Sequence, residues 1–344
     1  MKNKKSYILA LIFILSLTII SCSNNEVNSV TKTSYKMGTV VKVKVYSSKA
    51  DSIIKTTFGM LDKLEEKLSA HIESSEINKI NEMAGRRAVK VSNDTYDVVS
   101  KAVEYAELSQ GRFDPTIGPL VQLWGIGTKE QKIPSEKELA KKNKLVDYQK
   151  VELYPDKNKI KLLKEGMKLD VGGIAKGYAA DKVINFLQEK GVQRAFISLG
   201  GNVSVLGTKA DGSAWEVGIQ DPKESRGNVM ASVELKNKTV VTSGNYERYF
   251  MKNGVRYHHI LNPNTGRPAR KEIISSTIIA DKSFDADALS TVVYILGVEK
   301  GLALVNDLEG VQALLVTENN TVHTTKGIKD KINLLKDNKY QMAN

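Results

Sequence analysis

Cysteine occurs once in the 344 residues, at Cys22, directly after an uncharged apolar run. No disulfide can form within the chain, so everything beyond Cys22 is held by a packed core and hydrogen bonds alone. The run itself, residues 7–20, follows Lys2, Lys4 and Lys5. Basic, then apolar, then a small residue is the order of a secretory signal. Its fourteen residues are too few to cross a bilayer as a mature helix, which takes about 20.

The run closes on Ile19-Ile20-Ser21-Cys22, which resembles the bacterial lipobox. That resemblance implies cleavage after Ser21, a diacylglycerol on the Cys22 thiol and acylation of the new amine. Each buried methylene contributes about 0.8 kcal/mol, and stable anchoring takes at least two chains, which a diacylated cysteine supplies. An ordinary signal peptide with an incidental cysteine is the plainer alternative. Residues 23–33 are polar, Asn/Ser-rich and aperiodic and read as a flexible tether. The expected organisation is a signal over 1–21, lipidated cysteine and tether over 22–33, one enzyme-sized body over 34–337 and a tail over 338–344. The expected location is the extracytoplasmic face of a membrane.

Without the three signal lysines the chain keeps 48 basic and 39 acidic residues, a formal +9. These charges are scattered, with no recognition helix or zinc-finger spacing beside them, which argues against nucleic acid as a partner. The hydrophobic fraction, 41%, suits a packed globular body. Val41, Val43 and Val45 alternate with lysines as in a half-buried strand, and Ile54, Phe58, Leu61, Leu64 and Leu68 then follow helical spacing. Further helices are expected over 93–109, after a Ser135/Glu138 capping box, over 174–190 and over 285–296. Short strands are expected over 195–199, 215–219, 230–235, 239–242, 276–279 and 311–316. Strands and helices interleave without regular βαβ alternation, so the predicted class is α+β, with mixed and antiparallel sheets packed by helices.

Chemistry-bearing clusters fall at the seams between these elements. Asp170-Val171-Gly172-Gly173-Ile174-Ala175-Lys176-Gly177 places paired glycines at a strand-to-helix turn. There a phosphate can approach the backbone and the N–H groups of a helix start, unless the pair is only a turn. Asp287 and Thr291 are four apart on one helix face, so a carboxylate and a hydroxyl can share a hard cation such as Mg2+; a solvent-facing pair is the alternative. Adjacent His258 and His259 point to opposite sides of an extended segment, which argues against a two-histidine metal site and leaves one for proton transfer. By the same alternation, loss of His258 is expected to be nearly silent.

Taken in order, these segments resemble the ApbE family of FAD:protein FMN transferases. The resemblance rests on Met37-Gly38-Thr39, then Phe113-Asp114-Pro115-Thr116-Ile117-Gly118-Pro119-Leu120 with Leu123-Trp124-Gly125, and the Asp170-to-Gly177 run. It continues through Gly200-Gly201-Asn202, Ser243-Gly244-Asn245-Tyr246, His259-Ile260-Leu261-Asn262-Pro263-Asn264-Thr265-Gly266 and Ala286-Asp287-Ala288-Leu289-Ser290-Thr291. It implies a two-lobed, Mg2+-dependent enzyme that moves FMN from FAD to a threonine or serine hydroxyl of a target protein and releases AMP. Carried over, Met37, His71, Arg112, Phe113, Asp114, Asp170, Lys176 and Leu261 line the FAD site. Asp287, Thr291, a backbone oxygen at Gly173 and, less centrally, Ser290 hold the metal, and His259 takes the proton. The implied partners are flavin-carrying subunits of membrane electron-transfer or ion-pumping complexes. Two positions depart from the family pattern: Asn262 replaces an aspartate, and His71 stands where a flavin-pocket tyrosine is expected. An FAD pyrophosphatase and a non-catalytic FAD-binding lipoprotein are the competing readings.

The isolated position of Cys22 generates a direct test. Metabolic labelling with a fatty acid is expected to mark the wild-type protein and not Cys22→Ser; label retained by the variant contradicts lipidation.

Overall fold

The computed structural model describes residues 29–270 and 272–343. Cys22, the signal-like run and the lipidation site lie outside the described residues. In chain order the elements are β1 (Ser29–Lys36), β2 (Thr39–Tyr46), α1 (Ala50–Leu68), α2 (Glu76–Glu82), β3 (Val89–Lys90), α3 (Asn93–Leu108), α4 (Gly118–Trp124) and α5 (Glu136–Asn143). Next come β4 (Val151–Tyr154), β5 (Lys159–Leu162), α6 (Ala175–Glu189), β6 (Ala195–Leu199), β7 (Asn202–Leu206), β8 (Trp215–Gln220), β9 (Val229–Leu235) and β10 (Thr239–Gly244). The chain continues through β11 (Tyr249–Lys252), β12 (Val255–His258), β13 (Leu261–Asn262), β14 (Arg267–Pro268), β15 (Ile273–Ala280), α7 (Ser283–Leu296) and α8 (Val298–Asn306). It ends with β16 (Gln312–Thr317), β17 (Thr321–Thr324), β18 (Ile332–Leu334) and β19 (Gln341–Met342).

A nine-stranded sheet in the order β1-β2-β6-β7-β10-β15-β16-β17-β19 forms the centre, antiparallel except for the last pair. The α+β expectation therefore holds. Strand alternation assigns the two faces. Val41, Val43, Val241, Ile278 and Leu315 join one cluster with Ile54 and Leu61 of α1, Val183 of α6 and Val292 of α7. Val205, Val240 and Ile279 face the other way, onto Trp215, Val217 and Val233 of the three-stranded sheet β18-β9-β8. Each of these apolar side chains contributes about 1.5–3 kcal/mol by leaving water.

Registers align the strand ends that matter. β6 and β7 join through Gly200-Gly201, with Leu199 opposite Asn202. Both glycines have positive φ (60° and 111°), as a two-residue hairpin turn requires. Val41 lies opposite Leu199, so the Met37-Gly38 turn between β1 and β2 stands beside that turn. The Gly200 amide donates to the Val40 carbonyl across it (3.1 Å). Because β10 runs antiparallel to both β7 and β15, its end at Ser243-Gly244, opposite Ser276 and Ser275, reaches the same rim.

Both chain ends take more structure than their composition suggests. Residues 29–33, expected within the tether, form most of β1, because their backbone groups pair with 42–46 at the sheet edge. Residues 338–344, expected as a tail, bring in a buried Tyr340 and the short strand β19, paired with Thr321 and Val322. Tyr340 Oη donates to Asp221 Oδ1 (2.6 Å), and Lys336 and Lys339 reach Asp221 Oδ2 at 3.1 and 2.9 Å. No helix of the described residues is long and apolar enough to cross a membrane.

Asp221 is fully buried and fastens this last segment to the small sheet. Asp221→Ala removes a buried carboxylate that three side chains share and leaves the buried Tyr340 hydroxyl without its acceptor, and it is expected to cost about 2–4 kcal/mol. Glu224→Ala, which removes the more exposed partner of the same lysines, is expected to cost clearly less, because solvent screens that pair. Urea unfolding of the two variants checks the difference; equal losses contradict it.

Candidate active site

The rim gathers most of the chemistry-bearing segments. Met37 takes a left-handed conformation (φ 51°), and its amide donates to Glu65 on α1 (2.6 Å). One turn later α1 ends and the loop carrying His71 begins. Asn78 of α2 holds that loop through the Ala70 and Ile72 carbonyls, at 3.2 and 2.8 Å. Asn81, on the same helix, accepts from the Leu169 amide (2.6 Å) and donates to its carbonyl (3.1 Å). One short helix thus ties the His71 loop to the segment before Asp170, which is not the expected strand but is held by a single bridge between Lys168 and Ile117.

The Asp170 amide donates to the Pro115 carbonyl (2.8 Å), which sets the 113–118 segment against the glycine turn. A Cβ on Gly173 would lie 3.1 Å from the Phe113 ring and 3.7 Å from Thr291 Oγ1. Gly173, Phe113 and Thr291, drawn from three separate motifs, therefore meet at one point. Asp287, almost fully buried, accepts the Gly177 amide on Oδ2 (2.9 Å), while Lys176 Nζ stands 3.4 Å from Oδ1 and 3.3 Å from the Gly172 carbonyl. The close approach needs glycine: a Cβ at 177 would sit 2.2 Å from the Ser283 carbonyl and 2.8 Å from Asp287 Cβ.

The two hydroxyls at 290 and 291 differ. Ser290 is fully buried, donates to the Asp287 carbonyl (2.8 Å) and meets Ser243 Oγ at 2.7 Å. Thr291 is only part-buried and lies 3.5 Å from Ser243 Oγ, leaving it the more open of the pair. Among the described residues no three His, Cys, Asp or Glu side chains cluster for a metal. What α7 offers is one carboxylate with Oδ1 clear of backbone bonds, together with hydroxyl and carbonyl oxygens. That is a hard, oxygen-only donor set, suited to an ion that keeps several waters or phosphate oxygens.

His259 follows β12. Its amide and Nδ1 both meet the Arg248 carbonyl, at 3.1 and 3.2 Å. A carbonyl has no proton to give, so Nδ1 carries the hydrogen and Nε2 is left as an acceptor. The residue is open to solvent yet set deep among protein atoms. Crowding by that protein, and after it the neighbouring His258, Arg248 and Lys176, hold its pKa below the ordinary value, so it is neutral at pH 7. Arg248 also reaches back to the Gly38 carbonyl (3.3 Å), joining this segment to the Met37 turn.

Other expected side chains have structural partners. Asp114 is buried and accepts from Thr116 N (2.7 Å), Thr116 Oγ1 (2.6 Å) and Tyr148 N (3.1 Å). Leu261 packs with Leu120, Trp124 and Leu139. Arg112 is part-buried, and His71 is exposed. Asn262 keeps the turn without an aspartate's charge: its Oδ1 accepts the Asn264 amide (2.9 Å) and its carbonyl the Gly266 amide (2.9 Å). Sequence reading missed Asp181, which looks like an ordinary helix acid but accepts the Ser283 and Phe284 amides (2.8 and 3.0 Å) at the start of α7. Its partners lie more than a hundred residues away, and nothing local in the sequence signals them.

His258 corrects one expectation. It does face away from His259, but into the interior: it is buried, edge-on to Tyr294 (5.6 Å between ring centres), and Nε2 donates to the Ala269 carbonyl (2.8 Å). Alternation identifies the side a residue faces, not whether that side is wet.

Comparison with known proteins finds relatives along most of the chain. The profile of the ApbE family matches residues 37–315. The chain is 36% identical over 316 residues to the FAD:protein FMN transferase of Treponema pallidum (strain Nichols), covering 87% of each. It is 35% identical over 286 residues to that of Klebsiella pneumoniae (strain 342), covering 83% of this chain and 88% of the relative. Among solved structures, the ApbE protein of Thermotoga maritima superposes with a TM-score of 0.82 at 34% identity, covering 88% of this chain and 99% of the other. The flavin transferase ApbE of Vibrio cholerae gives 0.80 at 25% identity, with the same coverage.

Burial lowers the His258 pKa from 6.5 to about 4. Between those values the unfolded chain binds a proton that the folded one refuses, so stability falls as pH drops from 6.5 toward 4. The shift corresponds to at most about 3 kcal/mol. Denaturant unfolding at pH 7 and pH 4.5 is expected to show a smaller pH loss for His258→Phe than for wild type; an unchanged loss contradicts this role.

Proposed function

The chain belongs to the ApbE family, and from that premise we propose that it is an Mg2+-dependent FAD:protein FMN transferase acting at the extracytoplasmic face of a membrane. The observation that carries the reading is the meeting of Gly173, Phe113 and Thr291 beside Asp287 and Lys176. In the proposed reaction a threonine or serine hydroxyl of a target protein attacks the flavin-side phosphorus of FAD. A new P–O bond forms, the bond to the AMP oxygen breaks, and the hydroxyl proton goes to Nε2 of His259. The Arg248 carbonyl holds the imidazole in the tautomer this needs. The Lys176 ammonium offsets pyrophosphate charge, and the backbone from Asp170 to Gly173 gives the phosphates a close approach. Asp287, Thr291 and a backbone oxygen at Gly173 fit as holders of Mg2+, with Ser290 supporting them from behind; when bound, the ion supplies neutralisation of charge on the phosphoryl oxygens. The signal-like run and Cys22 support export and lipid anchoring, and flavin-carrying membrane subunits are the proposed acceptors.

Hydrolysis of FAD to FMN and AMP is favoured as the competing outcome by one observation, the exposure of His71 at the expected flavin wall.

Incubation with FAD, Mg2+ and candidate membrane subunits tests the reading, with in-gel flavin fluorescence as the readout. His259→Ala is expected to lose about 10²–10⁴-fold in transfer, with FAD affinity and melting temperature close to wild type. A variant that loses activity only in step with its melting temperature contradicts the role of base.

A further inference from the structure

The first turns of α6 and α7 are each capped by an acid from the second turn of the other helix. The residue preceding α6, Ile174, makes no side-chain cap, and neither does Lys282 before α7. Asp287 of α7 instead accepts the Gly177 amide in the first turn of α6. Asp181, one turn further along α6, accepts both opening amides of α7, Ser283 N on Oδ1 and Phe284 N on Oδ2. Two carboxylates, crossed between two helices, thus satisfy N–H groups that helix geometry leaves without partners. Gly177 lets the turns approach, since any Cβ there would strike the Ser283 carbonyl.

This arrangement closes a loop of contacts that runs from Asp181 to the start of α7, down one turn to Asp287, across to Gly177 and back along α6. Its consequence is rotational. With Oδ2 of Asp287 held by Gly177, Oδ1 is the oxygen turned toward Lys176 and clear of backbone. We propose that Asp181 is a positioning residue for Asp287: by fixing the axial position of α7 against α6 it presents Oδ1 to the divalent cation. The inference rests on the reading above in which Asp287 holds Mg2+. Asp181 itself touches neither substrate nor ion. A purely structural cap would change melting temperature and leave the cation requirement alone, and this distinguishes the two roles.

The test uses the whole protein with Asp181→Ala, Asp181→Asn and, as a control, Asp287→Ala. Two readouts are taken: the Mg2+ concentration giving half-maximal AMP release from FAD, and the binding of Mn2+, as a probe of the same site, followed by the loss of free-ion paramagnetic signal. Asp181→Ala is expected to weaken both by about tenfold or more, the usual effect of removing a group that orients a metal ligand. Asp181→Asn keeps one acceptor and is expected to fall between it and wild type; it also stands in should the alanine variant fold poorly. A lowered melting temperature with unchanged cation dependence in both variants overturns the inference alone. A wild-type protein indifferent to both ions overturns the metal reading and this inference together.

Discussion

At Gly177 two helices come so close that a single methyl group would have to occupy the space of the Ser283 carbonyl. Glycine inside a helix costs about 1 kcal/mol relative to alanine, and here that cost is offset by the contact it permits. Once α6 and α7 meet at this point, Asp287 reaches the Gly177 amide and Lys176 reaches Asp287. Thr291, one turn further along α7, then stands over Gly173. The placement of carboxylate, hydroxyl and ammonium at one point follows from that single approach, because each rides on a helix whose position it sets.

The sheet supplies the other half of the site. Antiparallel registers bring the Met37 turn, the Gly200-Gly201 turn and the end of β10 to one rim, and Ser243 on that rim binds the hydroxyl of Ser290. Load and chemistry are divided. Strands such as β15, buried on both faces, hold the layers together, and the Asp221 network fastens the last segment of the chain to the small sheet. The functional groups sit on turns, on the first turn of α6 and on the face of α7 that meets it, and the turns leave backbone groups open to a ligand.

Amphipathic elements were legible in the sequence. The helical spacing from Ile54 to Leu68 and the alternation of Val41, Val43 and Val45 each report one wet face and one dry face, and both elements form as expected. β15 was read at half its length, as 276–279, because a strand buried on both sides shows no alternation to mark where it begins and ends. The site was legible as motifs and not as contacts. Nothing in the Asp170-to-Gly177 run announces that Gly177 faces Ser283, more than a hundred residues later in the chain. Asp114 and Leu261 sit within the expected segments, yet their side chains serve packing and turn formation. His258 was assigned the correct side, and its burial depends on Tyr294 from a distant helix.

In the proposed function FAD is split between two products, one of which ends on a protein. The most direct measurement counts both in one reaction: AMP released and flavin bound covalently to an added membrane-subunit acceptor. One AMP for each protein-bound flavin, with little free FMN, is the result this account requires. AMP matched by free FMN alone, or FAD retained intact through purification, would contradict it.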